Sequence, residues 1–374
     1  MDVEAFAAHI RAASREQPLR IRGGGSKDFY GGPLVGEVLD TSEYKGIVSF
    51  EPSELVITAR AGTPLAEVEA ALAEKGQFLP FEPPNFYPPG KPGAASSPLP
   101  EGEGPGVRVS GGPATIGGVV AAGLSGPRRT AVGAARDFVL GVKLMDGEAR
   151  ILTFGGQVMK NVAGYDISRL MAGSLGTLGL ILEVSLKVLP RPVAERTLRL
   201  QLPAAQALER VNAWAAKPLS MSASCWYDGF LNVRLSGARA AVEAAQCTLG
   251  GDLVPDDEAD DFWCSLREQT NDFFVGEEPL WRLSLPPTAA LVDLPDPQLI
   301  EWNGAQRWLH SASPAQVRAA ASAVGGHATL FRGGDKTGGV FTPLPTPLMD
   351  LHRRLKSSFD PRGIFDPGRL YPDF

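Results

Sequence analysis

Apolar residues recur along the chain with spacings that change between those of a helix and those of a strand. In the first 190 residues, one opening helix is predicted by the shared face of Val3, Phe6, Ala7 and Ile10. Short apolar runs typical of strands follow at 18–21, 36–40, 46–50, 55–60 and 180–186. Thr63 and Pro64 predict the N-cap and first turn of a second helix, which Gly76 ends.

The pattern changes after two closely spaced prolines, Pro190 and Pro192, which end a strand. Beyond them we predict strands at 196–202, 221–226, 230–235, 281–285 and 306–310, and helices at 204–216, 238–249 and 314–323. A last helix begins at Thr346 and Pro347. We therefore predict an α+β protein in three parts: a first domain at 1–192, a smaller α+β domain at 193–343 and a C-terminal segment at 344–374.

The composition narrows the class of protein. A chain of 374 residues is long enough for two cores, since single cores stop growing near about 250–300 residues. A net charge of −6 argues against a nucleic-acid partner. Three cysteines without a CxxC pair are expected to be reduced thiols and too few for an iron–sulfur cluster.

The sequence shows no pattern typical of a signal peptide or of a membrane-spanning helix. The first ten residues carry Asp2 and Glu4 and do not resemble a signal peptide. No uncharged apolar stretch approaches the ~20 residues that a membrane span needs. We expect a cytoplasmic protein, with any contact to the inner face of the membrane made through partners.

Two glycine-rich turns beside strands carry the candidate chemistry. Gly23, Gly24 and Gly25 follow the strand at 18–21, and a second turn from Gly173 to Gly179 leads into the strand at 180–186. Glycine permits positive φ and brings backbone N–H groups close to an anion. Because the turns are about 150 residues apart, they suggest one long, phosphate-containing cofactor held between two halves of a domain.

Two common nucleotide motifs do not fit. A Rossmann site needs a third glycine that opens a helix, but Ser26 and Lys27 follow the first three glycines here, and the second turn leads into a strand. A Walker-type loop fails because Gly90 and Lys91 are followed by Pro92. The Pro/Gly/Ser-rich stretch at 82–112 is expected to be a surface excursion, a disordered loop or a docking segment.

Several motifs, in the right order, resemble a known family. Residues 22–26, 115–118, 136–141 and 164–179 resemble the FAD-binding (PCMH-type) domain of the vanillyl-alcohol oxidase superfamily. More narrowly, 123–129 and 158–166 are similar to the E-subunit family of bacterial glycolate oxidases, and 359–370 to its C-terminal flavin-side segment. This resemblance implies a two-subdomain FAD-binding domain, an α+β cap with an antiparallel sheet, and a tail that returns to the FAD-binding domain.

The resemblance also implies a cofactor and its binding residues. FAD would be held by Arg22, Gly23, Gly24, Gly25, Ser26, Thr115, Ile116, Gly117, Gly118, Ser125, Gly164, Tyr165, Asp166, Gly173, Gly176, Thr177, Gly179 and Ile181. Relatives with covalent flavin carry a histidine where this chain has Ser26, so the flavin should be dissociable. Gly123 replaces a common asparagine, which removes a side-chain hydrogen bond to the cofactor.

Candidates for catalysis are few, and no metal site is predicted. Oxidation of a 2-hydroxy acid needs a base for the hydroxyl proton, and the family's D subunits carry closely spaced histidines for this work. The four histidines here form no such pair. His310 is the one candidate base, and Lys160 could stabilise a reduced flavin electrostatically or be a solvated surface residue.

Three functions remain open. The favoured one is a non-covalent FAD-binding subunit of a glycolate oxidase complex, with an electron-transfer or assembly role beside a catalytic D-type flavoprotein and an iron–sulfur subunit. Its small 2-hydroxy acid substrate would then belong to the complex. The alternatives are a self-sufficient FAD-dependent 2-hydroxy-acid dehydrogenase and a scaffold that has lost the flavin.

Overall fold

The structure, a computed structural model, describes residues 2–86, 112–156, 166–294 and 297–374. Its helices are α1 (Val3–Ala12), α2 (Leu65–Ala73), α3 (Ile116–Ala122), α4 (Arg129–Val132), α5 (Ala135–Phe138), α6 (Ile167–Leu170), α7 (Ala204–Ala215), α8 (Arg239–Leu249), α9 (Asp256–Glu268), α10 (Pro314–Ala323) and α11 (Thr346–Phe359). Its strands are β1 (Leu19–Arg22), β2 (Glu37–Asp40), β3 (Ile47–Glu51), β4 (Val56–Arg60), β5 (Gln77–Phe78), β6 (Val139–Met145), β7 (Ile151–Gly155), β8 (Leu180–Lys187), β9 (Leu189–Pro190), β10 (Ala194–Gln201), β11 (Met221–Tyr227), β12 (Phe230–Gly237), β13 (Asp252–Val254), β14 (Leu280–Ser284), β15 (Gln298–Glu301), β16 (Gln306–His310) and β17 (His327–Arg332).

Two sheets organise the first part of the chain. β1 and β2 form a parallel pair, and five strands form an antiparallel sheet in the order β3-β4-β8-β6-β7. The short helices α2 and α3 cover the larger sheet. Their Val68, Leu72 and Val119 are buried in one core with Ile57 and Val184 of the sheet. Each such side chain, when fully buried, stabilises the fold by roughly 1.5–3 kcal/mol relative to leaving it exposed.

Residues from 194 onward form an eight-stranded antiparallel sheet, which we call the cap sheet, in the order β13-β10-β12-β11-β15-β16-β14-β17. Side chains alternate between its two faces. One face packs against α7, α8 and α10. The other carries Ala223, Leu299 and Trp308, and it packs on Phe86 and Leu124 of the first part.

The C-terminal segment contacts the first strand. The Leu19 N–H donates to the Ile364 carbonyl (2.7 Å), and the Asp366 N–H donates to the Leu19 carbonyl (2.9 Å). The Lys356 ammonium, on α11, donates to the Thr177 carbonyl (2.6 Å) and to the Asp360 carboxylate (2.8 Å). Leu19 and Phe365 thus form an isolated parallel bridge between the two ends of the chain.

Most predicted elements are present within one or two residues of their expected bounds, among them α7, α10, β14 and β16. The prediction that Thr63 caps α2 is wrong: Pro64 is the N-cap, and the Thr63 hydroxyl instead hydrogen-bonds the backbone of Gly46. The pattern also missed α9, whose buried face includes Trp263 and Leu266. The division of the chain at 192 and 343 stays a prediction.

Candidate cofactor site

A cleft lies between the β1–β2 pair, α3 and the start of β8. It brings together eleven of the residues predicted from the sequence to bind a cofactor. These are Arg22, Gly23, Gly24, Gly25, Ser26, Thr115, Gly117, Gly118, Gly176, Gly179 and Ile181. The two glycine-rich turns, distant in sequence, thus face one cleft.

Gly23 and Gly24 allow the first glycine turn to contact residues 112–115 in the cleft wall. A Cβ on Gly24 would lie 1.8 Å from the Pro113 carbonyl oxygen, and one on Gly23 would lie 2.2 Å from Thr115 Oγ1. The Gly112 N–H donates to the Gly24 carbonyl at 2.6 Å. The sequence predicts that these glycines make room for a ligand; in the structure a Cβ at Gly23 or Gly24 would first strike the chain itself.

The opposite wall comes from the second glycine turn. Gly176 and Gly179 have φ of +82° and +145°, which a side chain would strain. A Cβ on Gly176 would lie 2.5 Å from a carboxylate oxygen of Asp366. Thr115 caps α3 by accepting from the Gly118 N–H (3.4 Å), which fixes the segment between the two turns.

The cleft also contains a buried ammonium that the sequence analysis missed. Lys27 is only 9% exposed, and its Nζ donates to Ser26 Oγ at 3.2 Å. Burial lowers the pKa of Lys27 to about 8, with partial opposition from the charge of Glu268. No carboxylate in the described part of the chain lies within ion-pairing distance of this ammonium. A buried cation with one hydroxyl partner favours an anionic ligand.

A second charged group in the cleft comes from the C-terminal segment. Asp366 is buried and accepts from the Ile21 N–H at 3.0 Å. Burial raises the pKa of Asp366 to about 7, although this N–H and Arg369 oppose the shift. Arg369 donates to the carbonyls of Gly32 and Tyr30, which ties the segment to the loop after the first glycine turn.

Other predicted residues lie outside the cleft. Ile116 is in the core, the Thr177 hydroxyl donates to the Ser174 carbonyl (2.7 Å), and Asp166 pairs with Arg169 (2.8 Å). Ser125 Oγ accepts from the Ala135 N–H at 3.0 Å. Gly173 does not line the cleft, and Lys160, Gly164 and Tyr165 lie outside the described residues.

The candidate base His310 does not line the cleft either. It ends β16, and its Nδ1 and Nε2 lie 3.0 and 2.9 Å from the carbonyl oxygens of Glu278 and Phe273. Both ring nitrogens are therefore occupied by backbone groups. Across the described ranges, no cluster of three or more metal-ligating side chains occurs, and no helix is long and apolar enough to cross a membrane.

Comparisons with known proteins identify the family of this chain. A family model described as an FAD binding domain matches residues 2–97. Over 97% of its length, the chain is 46% identical to the glycolate oxidase subunit GlcE of Escherichia coli, of which it covers 95%. The chain belongs to the GlcE family of glycolate oxidase subunits. The family predicted from the sequence motifs is confirmed.

More distant relatives and solved structures extend the comparison. The GlcE-family chain is 28% identical to a D-2-hydroxyglutarate dehydrogenase of Xanthomonas citri over 56% of its length and 40% of that protein. It is 29% identical to the glycolate oxidase subunit GlcD of Bacillus subtilis over 48% of this chain and 34% of that subunit. An alkyldihydroxyacetonephosphate synthase structure matches with a TM-score of 0.61 at 13% identity, over 98% of this chain and 75% of the other. This likeness confirms the predicted α+β fold.

Proposed function

We propose that this chain is an FAD-dependent oxidoreductase subunit that binds FAD without a covalent bond and serves a glycolate oxidase. The observation that carries the proposal is the cleft itself, in which both glycine turns, Ser26 and the buried ammonium of Lys27 converge. Family membership supplies the class of complex. The matched FAD binding domain model covers the first turn and Lys27.

The residues present fit the diphosphate of FAD. Backbone N–H groups of residues 23–26, the Ser26 hydroxyl and the Lys27 ammonium would hold its negative charge, and hydrogen bonds to a charged group contribute roughly 1.5–3 kcal/mol each. The backbone around Ile181 would meet the adenine side. Bound FAD supplies an acceptor for two electrons. Ser26 has no imidazole with which to form a histidyl link.

We further propose that substrate oxidation depends on partners, a D-type flavoprotein and an iron–sulfur subunit. His310 supports this view because both of its ring nitrogens meet backbone carbonyls. A positioned base contributes roughly 10²–10⁴-fold, so the isolated chain should oxidise glycolate or D-lactate slowly. The protein is expected in the cytoplasm, at the inner face of the membrane where partners place it.

The test is a purification followed by acid precipitation. The native protein should be yellow, and acid should release all of the flavin, identified as FAD, into the supernatant. Glycolate turnover should appear on addition of the D-type and iron–sulfur partners. Colour that stays in the pellet would contradict the non-covalent link; a colourless protein that binds no added FAD would contradict the cofactor; and rapid glycolate oxidation by the chain alone would contradict the subunit role.

A further inference from the structure

Glu268 is a buried carboxylate at the end of α9, a helix that packs on the cap sheet through a hydrogen bond from Trp263 Nε1 to the Thr197 hydroxyl (2.9 Å). The side chain of Glu268 is 6% exposed. The dipole of a helix disfavours a negative charge at its C-terminal end, so Glu268 is not placed to stabilise α9. Nothing in the sequence pattern pointed to this residue. Its partners lie in the first part of the chain.

Glu268 holds the segment that follows β5. Its Oε2 accepts from the N–H groups of Asn85 (3.0 Å) and Phe86 (2.8 Å). The Asn85 Oδ1 in turn accepts from the Ala114 N–H at 2.9 Å. Ala114 directly precedes Thr115, which caps α3 and lines the cofactor cleft. One carboxylate on α9 is thus linked through two successive hydrogen bonds to the wall of the cleft.

The ring of Phe86 makes a second link. Phe86 has a φ of +54°, a conformation that bulky residues rarely adopt, and Glu268 bonds the N–H of this same residue. The ring lies 5.7 Å from the Lys27 ammonium and 5.3 Å from the ring of Phe29. An aromatic face attracts a cation within about 6 Å. Glu268 therefore fixes a ring that contacts the buried ammonium of the cleft.

Glu268 also acts on Lys27 through its charge. Burial lowers the pKa of Lys27 to about 8, and the negative charge of Glu268 opposes that shift. Other ionisable groups face these two side chains. Around Glu268 they are Arg267, which donates to Oε1 at 2.7 Å, Glu69 and Cys264; in the cleft with Lys27 they are Arg22, Asp28, Asp366 and Arg369.

We propose that Glu268 is a positioning residue of the cofactor cleft: it places the ring of Phe86 against the Lys27 ammonium and supplies the counter-charge for that ammonium in the FAD-free protein. The diphosphate of FAD takes over as counter-charge when it binds, while the hydrogen bonds to Asn85 and Phe86 keep the cleft wall in place. Lys27 thus remains able to bind an anion although it is buried. The part played by FAD rests on the proposed function; the link between Glu268 and Lys27 does not.

Titration of the full-length protein with FAD between pH 6 and pH 10, followed by flavin fluorescence, separates charge from positioning. Glu268→Gln keeps an oxygen that can accept from residues 85 and 86 but carries no charge. The weakening of FAD binding at high pH should therefore begin about one pH unit lower than in the wild type, the small end of what a nearby opposite charge contributes. Glu268→Asp keeps the charge on a shorter side chain. It should bind FAD about 2- to 10-fold more weakly at every pH, with the onset still near pH 8.

The matched control is Glu258→Gln. Glu258 lies in the first turn of the same helix and pairs with Arg199 at 2.8 Å, so its loss should change neither the affinity for FAD nor the onset. An unchanged onset in Glu268→Gln, or a Glu268→Asp protein that binds FAD as the wild type does, would overturn the proposed role.

A double-variant cycle in the FAD-free protein tests the link between Glu268 and Lys27 by itself. At pH 6, Lys27→Met should raise the folding equilibrium constant about tenfold more in the Glu268→Gln background than in the wild type, because one unit of pKa is a tenfold change in a protonation equilibrium. Urea unfolding of the four proteins measures the difference. Equal effects in the two backgrounds would overturn the link whatever the flavin content. Unequal effects in a protein that binds no FAD would support the link and contradict the proposed function instead.

Discussion

Replacing Lys27 with methionine should make the FAD-free protein more stable and its affinity for FAD weaker. Burial lowers the pKa of Lys27 from its usual 10.5 to about 8. Each tenfold change in a protonation equilibrium is worth 1.36 kcal/mol, so the charged ammonium costs the empty fold about 3 kcal/mol. Methionine occupies similar space without a charge and removes that cost.

The pH dependence has a definite sign. Between pH 8 and 10.5 the unfolded chain binds more protons at this position than the folded chain does, so the stability of the wild type rises with pH there. The advantage of Lys27→Met should be complete below pH 8 and should disappear by about pH 10.5.

FAD affinity should change in the opposite direction. Loss of one charged hydrogen bond, roughly 1.5–3 kcal/mol, raises the Kd about 10- to 150-fold. In the wild type the affinity should weaken as pH rises above 8 and the ammonium of Lys27 is lost. Lys27→Met should show no such weakening.

Two measurements decide the case: urea unfolding of the FAD-free protein at pH 7 and pH 10, and titration with FAD followed by flavin fluorescence. Lys336→Met is the control, because the pKa of Lys336 is also lowered to about 8 by burial but its ammonium bonds the carbonyls of Phe29 and Gly31 outside the cleft. A Lys27→Met protein with wild-type FAD affinity across this pH range would refute the assignment of Lys27 to the diphosphate.

Two further substitutions test the architecture of the site. Gly24→Ala places a Cβ 1.8 Å from the Pro113 carbonyl, so we expect the free energy of unfolding to fall by about 1–3 kcal/mol and FAD binding to be lost. The control Gly338→Ala, whose Cβ would have nothing within 4 Å, should leave the melting temperature unchanged; equal melting temperatures and flavin contents for the two variants would contradict this. Arg128 pairs with Glu82 (3.3 Å) and Glu195 (2.7 Å) in a buried network. Arg128→Met should therefore lower the free energy of unfolding in urea by about 3–5 kcal/mol, and the double variant with Glu82→Gln should regain part of that stability. A loss of less than about 1 kcal/mol would argue against a buried network.

Local patterns predicted the elements of the fold well because local forces define them. The spacing of apolar residues located α10 and β16, and the glycine turns pointed to the cleft. Thr63 was assigned to the wrong contact because its partner, Gly46, lies 17 residues earlier, directly before β3. α9 was missed because its first turn consists of the acidic residues Asp256, Asp257 and Glu258, so the apolar spacing of its buried face is hard to recognise in the sequence.

The buried charged groups could not be predicted in the same way. From the sequence, Lys27 in a polar turn is indistinguishable from a solvated lysine; in the fold its side chain is buried and its ammonium lies over the ring of Phe86. Asp366 acquires its role only when it accepts from Ile21, 345 residues earlier. Arg282 and Glu301 reach one face of the cap sheet through the register of β14, β16 and β15, whose order in the sheet differs from their order in the chain. Their chemistry is set by long-range contacts, which spacing along a sequence does not encode.

The contact between β1 and the C-terminal segment has a consequence for how the protein is made. Asp366 and Arg369 line the cofactor cleft, and Leu19 is bonded on both sides to residues 364–366. During translation the glycine turns leave the ribosome long before these residues do, so this wall of the cleft forms only after residues 364–369 have emerged. We therefore expect stable cofactor binding to require residues 364–369, so that a ribosome stalled before residue 360 would hold a nascent protein unable to retain its flavin.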